Sequence, residues 1–229
     1  MKIESPYPIS FSGMHGCGKK TLRDGLCSAI DGYHPIHYKL LELGRMVDED
    51  GLHVFRARAG EQDRLVRAAI AQGGQPVTSR LGILDVAITA CTMARLERID
   101  ADIVDAFVTT LGDDLEHAAL PRTLAVVLTP AAILQERLLA RDQQAGASNT
   151  RGQAKLARMA AFMEEVFVQG IFPHPVIERL VESYRERDAL LVLDTGQRDR
   201  ASALADVQAF LAQRQGSSAM ALTEGGVAA

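Results

Sequence analysis

Cysteine and histidine are sparse in this sequence, and their spacing excludes two kinds of site. The 229 residues contain three cysteines, Cys17, Cys27 and Cys91, with no C-x-x-C pair. Neither a disulfide framework nor a cysteine-held zinc site is therefore predicted. The six histidines form no His-x-x-x-His pair, so none is nominated as a metal ligand. This composition favours a reducing compartment, and we expect a cytoplasmic protein.

The chain also lacks a long apolar run and an excess of basic residues. No apolar segment approaches the length of a membrane helix, and the first residues have no signal-peptide core. A net charge of -4 and a pI near 5.9 argue against general binding of nucleic acid. We therefore expect partners that are neither nucleic acid nor membrane. The 47% hydrophobic content is sufficient for the core of an α/β domain.

A glycine-rich loop follows the first apolar segment and is typical of phosphate binding. Gly13, Gly18 and Lys19 fit the pattern G-x-x-x-x-G-K-[ST], while Lys20 stands at the place of the final hydroxyl. Glycines let backbone N–H groups point at an anion, the following helix adds its positive end, and a lysine adds charge. The residues predicted to bind the phosphates of a nucleotide are Gly13, His15, Gly16, Cys17, Gly18, Lys19, Lys20 and Thr21. For Cys17 we favour a small tolerated side chain over a redox switch.

Strand-like segments alternate with helical ones along the chain. Strands are predicted at residues 8–12, 35–41, 75–80, 122–128 and 189–194, and helices at 21–30, 61–72, 83–98, 101–111, 130–141, 153–169, 176–187 and 202–211. This alternation predicts a parallel sheet with helices on both faces and ligands at the carboxyl ends of the strands. We predict one domain over residues 1–215, with a lid at about 142–158, and a disordered tail over 216–229.

The order of these features resembles that of the nucleoside monophosphate kinases, most closely the branch of thymidylate and deoxynucleoside kinases. Residues 11–22 are similar to the family's F-x-G-x-x-G-x-G-K-x-T-L loop, and residues 74–80 to its G-x-x-V-x-x-D-R segment. Residues 42–44, 124–141 and 190–194 are similar to its second-strand turn, its approach to the lid and its last strand. The resemblance covers about residues 8–213 and implies an α/β, three-layer P-loop NTPase fold with a five-stranded parallel sheet in the order 2-3-1-4-5.

The resemblance further implies an ATP-dependent kinase that phosphorylates a nucleotide, with ATP and Mg²⁺ as cofactors. The implied catalytic residues are Lys19, Arg80, Arg141 and Arg151, and Arg137, Lys155 and Arg158 are further cations near the lid. The implied substrate-binding residues are Glu42, Arg45, Arg80 and Asp85, with Arg80 on the acceptor phosphate.

Some positions depart from the family pattern. Lys20 replaces the Ser or Thr that binds Mg²⁺, and Ser79 replaces an aspartate. The Lys20 ammonium either takes the place of the ion or points to solvent, in which case Thr21 or Asp85 is the candidate metal ligand. Thr89 stands near the position of a glutamine in thymidylate kinases, so strict specificity for dTMP is not expected. A silent nucleotide-binding protein and a P-loop kinase acting on a nucleoside or small alcohol stay open as alternatives.

The predicted helices within residues 83–111 are unusually apolar. They carry Ile88, Met93, Ile103, Val104 and Phe107. This pattern predicts either a homodimer interface or packing inside one chain.

Overall fold

The computed structural model describes residues 8–14, 16–36, 49–79, 82–117, 123–144, 153–196 and 198–224. The strands are β1 (Ile9–Gly13), β2 (Tyr33–Pro35), β3 (Gln75–Thr78), β4 (Thr123–Leu128) and β5 (Leu190–Asp194). The helices are α1 (Lys19–Ala29), α2 (Glu49–Ala71), α3 (Ile83–Arg95), α4 (Ala101–His117), α5 (Ala131–Gln144), α6 (Gln153–Glu164), α7 (Pro175–Arg185) and α8 (Arg200–Glu224). A π-helical turn, Glu165–Gln169, continues α6. Among the described residues, no helix combines the length and apolar character that a membrane crossing requires.

The five strands form one parallel sheet in the order β2-β3-β1-β4-β5, which confirms the predicted fold. Strand β1 is central and pairs with β3 on one side and β4 on the other. Ile9 and Phe11 in β1 and Val126 in β4 are fully buried, as expected for a parallel sheet with helices on both faces. All five strands therefore present their carboxyl ends at one edge of the sheet, where the glycine-rich loop begins.

Two predicted elements near the second strand were displaced. Strand β2 begins at Tyr33, two residues before the predicted start, and its partners in β3 are residues 75–77. Most of the remaining predicted strand, residues 37–41, lies outside the described residues. Helix α2 begins at Glu49, well before the start that we predicted at residue 61. Packing explains this start, because Leu52 and Ala59 are buried and offset the low helix propensity of Gly51 and Gly60.

Two helix ends also differ from the sequence prediction. The helix predicted at residues 130–141 begins one residue later, at Ala131. The Pro130 carbonyl accepts from the Leu134 N–H, and the Thr129 hydroxyl bonds to Thr195. At the other end of the chain, α8 continues to Glu224, past the predicted start of the tail at residue 216. Its last turns contain Ala, Leu and Met, which are good helix formers.

Helices α3 and α4 pack against each other and against the core. Ile88, Met93, Val104 and Phe107 are each at most 7% exposed, whereas Ile103 is 36% exposed. The apolar surplus that suggested a homodimer is thus accounted for by packing inside the chain. That this protein forms a homodimer stays a prediction, which the apolar residues of α3 and α4 do not support.

Candidate functional site

The glycine-rich loop lies at the carboxyl end of β1 and takes a backbone shape that ordinary residues avoid. Gly13, Gly16 and Gly18 have φ angles of 138°, 88° and 101°. A Cβ atom added to Gly13 would lie 2.5 Å from the Val127 carbonyl oxygen of β4, so the neighbouring strand leaves no room for a side chain. Gly18 immediately precedes α1 and has a left-handed conformation. The loop therefore depends on glycine for both space and conformation.

Lys19 is the first residue of α1, and its side chain turns back over the loop. Its Nζ atom donates to the carbonyl oxygens of Gly13 at 2.5 Å and Met14 at 2.7 Å. The same atom lies 3.9 Å from Cys17 Sγ. The ammonium group is thereby held at the mouth of the loop, next to the unpaired N–H groups at the start of α1.

Asp85, in the first turn of α3, lies against the same loop. The Ser12 hydroxyl of β1 donates to Asp85 Oδ1. Burial raises the pKa of the Asp85 carboxyl, although Lys19, the Ser12 hydroxyl and the N–H groups of Gly82 and Gly13 oppose that shift. A carboxyl group with a raised pKa therefore lies close to the lysine of the phosphate loop.

Cys17 is 1% exposed and belongs to the core. Burial raises the pKa of its thiol, while the charge of Lys19 acts in the opposite direction. A thiol with a raised pKa carries little thiolate and reacts slowly. The structure thus supports the reading of Cys17 as a packed small side chain.

Thr195, just after β5, connects the loop to two other elements. Its hydroxyl lies 2.7 Å from Thr129 Oγ1 and 3.4 Å from the Cys17 carbonyl oxygen. Its own carbonyl oxygen accepts a 2.9 Å hydrogen bond from Arg137 Nη2 of α5. This chain of contacts fixes the position of Arg137 relative to the phosphate loop.

A cavity of about 260 Å³ opens beside the loop, on the side of α1, α5 and α8. It is lined by Gly16, Cys17, Gly18, Thr21, Leu22, Arg137, Thr195, Arg198, Asp199, Arg200 and Ala203. Arg198 forms an ion pair with Asp206. The Asp199 carboxylate accepts from the Ser202 N–H at 2.7 Å, and that bond lowers the pKa of Asp199. The cavity is therefore bordered by cations and joins directly to the phosphate loop.

The predicted site residues are only partly brought together by the described part of the chain. Gly13, Gly16, Cys17, Gly18, Lys19, Lys20, Thr21 and Asp85 lie at or beside the loop. His15, Glu42, Arg45, Arg80 and Arg151 lie outside the described residues, as do residues 145–152 of the predicted lid. Arg141 lies in the last turn of α5, and Lys155 near the start of α6.

The two other predicted lid cations have different positions. Arg137 lines the cavity beside the loop. Arg158 donates to the Arg95 carbonyl oxygen at 3.3 Å, at the end of α3 opposite to Asp85. In this structure Arg158 is therefore not at the phosphate loop.

Sequence reasoning missed several side chains of the site. Arg198, Asp199 and Arg200 follow β5 at the carboxyl edge of the sheet, so the rule that places ligands at that edge would have indicated them. Gln62 of α2 is 7% exposed, and its side chain lies next to Gly82. A Cβ atom added at Gly82 would be 3.5 Å from Gln62 Nε2. No local pattern marks Gln62, because its burial depends on how α2 packs against the start of α3.

The described residues at the loop do not fit the usual Mg²⁺ site of P-loop NTPases, which uses a Ser or Thr after the lysine and an acidic residue on a nearby strand. Lys20 takes the first position, and the strands flanking β1 are followed by Ser79 and Thr129. Within the described part of the chain, no three His, Cys, Asp or Glu side chains are placed to hold a metal ion. The Asp85 carboxyl group lies close to the loop lysine, and its Oδ1 already accepts from Ser12.

Comparison with known proteins identifies solved structures that share the fold of this chain. No protein-family model matches the chain, and no curated protein sequence matches it. Deoxyadenosine kinase from M. mycoides with bound dATP has a TM-score of 0.64 and 11% identity, covering 90% of this chain and 98% of that one. The same enzyme with bound dCTP gives 0.62 and 11%, covering 90% and 99%. Its complex with dCMP and dCDP gives 0.58 and 14%, also covering 90% and 99%. At these identities the similarity shows that the chain has the fold of a P-loop kinase such as deoxyadenosine kinase.

Proposed function

We propose that this protein transfers the γ-phosphoryl group of ATP to the hydroxyl group of a deoxynucleoside. The observation that carries the proposal is the juxtaposition of Lys19, on the phosphate loop, with the buried carboxyl group of Asp85. The loop supplies a site for a polyphosphate, and the carboxyl group supplies a proton acceptor beside it. The two groups together are what transfer to a hydroxyl acceptor requires.

The donor nucleotide would bind across the loop and the neighbouring cavity. Backbone N–H groups at the start of α1 and the Lys19 ammonium suit the phosphates. The cavity beside Gly16 and Thr21 suits the nucleoside part, with the Arg137 guanidinium held at its wall by Thr195. An arginine guanidinium can stack on the face of a base.

Asp85 favours a hydroxyl acceptor over a phosphate acceptor. A hydroxyl group must lose a proton during transfer, whereas a phosphate oxygen at neutral pH is already ionised. Burial raises the pKa of Asp85, which brings a carboxyl group closer to the range useful for a general base. Deoxyadenosine kinase, the neighbour in fold, is named for a deoxynucleoside acceptor, which supports this choice.

The other predicted residues keep the roles that the family resemblance implied. Arg80 would bind the acceptor side, and Arg141 and Arg151 would neutralise charge on the transferring group. Glu42 and Arg45 would contact the acceptor. The thymidylate kinase-like reading, in which the acceptor is a nucleoside monophosphate held by Arg80, is retained as an outcome of the test.

The test measures ADP formation from ATP with a panel of deoxynucleosides and deoxynucleoside monophosphates, with and without Mg²⁺. We expect turnover that requires a deoxynucleoside and falls at least a hundredfold in Lys19→Met, since one charge-stabilising group contributes about 2.7–4 kcal/mol. Arg98→Met also removes one positive charge, but from an exposed position beyond the end of α3. This matched control should keep wild-type turnover.

Turnover only with monophosphates would replace the proposal by the thymidylate kinase-like reading. Binding of ATP with no acceptor-dependent turnover would contradict the kinase proposal and identify a silent nucleotide-binding protein.

A further inference from the structure

We propose that the phosphate loop binds its nucleotide as the metal-free anion, with the Lys20 ammonium providing the charge that a divalent cation would otherwise provide. This inference rests on the proposed nucleotide site and adds the ionic form of the ligand. It starts from the disagreement between the residues at the loop and the usual Mg²⁺ site.

The position of Lys20 is the first observation. Lys20 is the second residue of α1 and is exposed. The first turn of α1 contains two lysines and no acidic residue. Positive charge is unfavourable at the positive end of a helix, so Lys19 and Lys20 together destabilise the helix start unless an anion binds there. Two adjacent lysines at this position therefore suit a highly charged anion.

The oxygen atoms near the loop are the second observation. Several hydroxyl groups on the central strand and beside it bond to protein partners: Thr78 Oγ1 donates to Ser10, Thr129 Oγ1 bonds to Thr195, and Ser12 donates to Asp85. Mg²⁺ prefers octahedral oxygen ligands and is usually held by one or two carboxylates together with phosphates. Asp85 is a single carboxyl group, and its Oδ1 atom already accepts a hydrogen bond from the Ser12 hydroxyl.

The charges around the cavity are the third observation. Arg137, Arg198 and Arg200 line it together with Asp199, and Arg198 is paired with Asp206. The hydrogen bonds of Lys19 and Arg137 to the backbone run to carbonyl oxygens, which carry no formal charge. Chelation by Mg²⁺ removes two negative charges from a triphosphate. The cations of this site therefore attract the unchelated form more strongly.

The test is a calorimetric titration of the full chain with ATP, in EDTA and in saturating Mg²⁺. We expect ATP to bind in EDTA with a Kd equal to or lower than the Kd in Mg²⁺.

Lys20→Met should weaken binding in EDTA by about tenfold, which is the size of one charge-assisted contact. Lys20→Thr should show the same weakening in EDTA and should recover affinity in Mg²⁺, because it restores the hydroxyl ligand. Lys20→Arg keeps the positive charge and should retain more affinity in EDTA than Lys20→Met does, whereas the distant Arg98→Met should bind as the wild type does.

Three results would overturn the inference in distinguishable ways. Binding at least tenfold tighter in Mg²⁺ than in EDTA would leave the nucleotide site in place and show that it uses the metal chelate. No binding of ATP in either buffer would overturn the inference together with the proposed function. Unchanged binding in Lys20→Met would show that Lys20 does not contribute.

Discussion

Asp85 shows how one residue links the stability of the site to its chemistry. Burial raises the pKa of its carboxyl group relative to the unfolded chain. The folded state consequently binds a proton more tightly than the unfolded state does. Protonated Asp85 therefore stabilises the folded state fully at pH values below the pKa that Asp85 has in the unfolded chain. This stabilisation is lost as the pH rises through the raised pKa of the folded state. The ionised carboxylate, which forms as the pH rises, thus opposes folding.

We predict that Asp85→Asn will be more stable than the wild type at about pH 8 and that this advantage will shrink at about pH 4, where carboxyl groups become protonated. Denaturant unfolding at the two pH values measures the difference. Asp113→Asn, an exposed change in α4, is the control and should give no pH-dependent advantage. A stability difference between Asp85→Asn and wild type that does not grow with pH would show that the carboxyl is not destabilised by burial.

The sequence could indicate Asp85 but not its surroundings. Its position shortly after the third strand placed it near the carboxyl edge of the sheet, because parallel strands end together there. The hydrogen bond from Ser12 could not be predicted, since it joins residues 73 positions apart. The hydrogen bonds of the Thr195 hydroxyl could not be predicted either, because its partners belong to the loop and to β4.

The loop between β1 and α1 is the element whose shape is most tightly determined by local sequence. Its glycines are spaced as phosphate binding requires, and the structure gives each of them a positive φ angle. Strand β4 adds a constraint that the motif does not show, because its Val127 carbonyl lies against Gly13. The motif thus predicted the loop, and the sheet explains why Gly13 is needed.

We predict that Gly13→Ala will destabilise the protein more than Gly18→Ala. Both alanines would have a positive φ angle, which costs roughly 1–2 kcal/mol. Only the Cβ of Ala at position 13 would also collide with a backbone atom, at 2.5 Å from the Val127 oxygen, whereas the space around Gly18 is open to 4 Å. Thermal unfolding of both variants measures the difference. Equal loss of stability would mean that β4 does not restrict the loop.

Helix α2 and strand β2 show why the observed bounds of some elements differ from those predicted from the sequence. Local pattern placed the start of α2 after Gly60, since two glycines lower the helix propensity of the preceding segment. The buried side chains of Leu52 and Gln62 show that contacts with the rest of the fold stabilise this helix. Strand β2 has only three residues, and its pairing with β3 sets its limits more than its own composition does.

At the scale of the whole molecule, the order of the strands brings the candidate groups together. Strand β1 lies between β3 and β4, so the loop after β1 meets residues that follow β3, β4 and β5. Asp85 approaches the loop from the β3 side, while Arg137 and Thr195 approach from the β4 and β5 side. A donor nucleotide and an acceptor would therefore approach the loop from opposite sides. This arrangement followed from the predicted topology, although the identity of the acceptor did not.

The central claim is tested most directly by following the phosphoryl group itself. The protein is incubated with each of the four common deoxynucleosides in turn and with ATP labelled at the γ-phosphorus, and the labelled products are separated. We predict that the label will move to the deoxynucleoside as a monophosphate, and that Asp85→Asn will abolish this transfer while ATP still binds. Label found only in ATP or inorganic phosphate, across all four common deoxynucleosides, would contradict the claim.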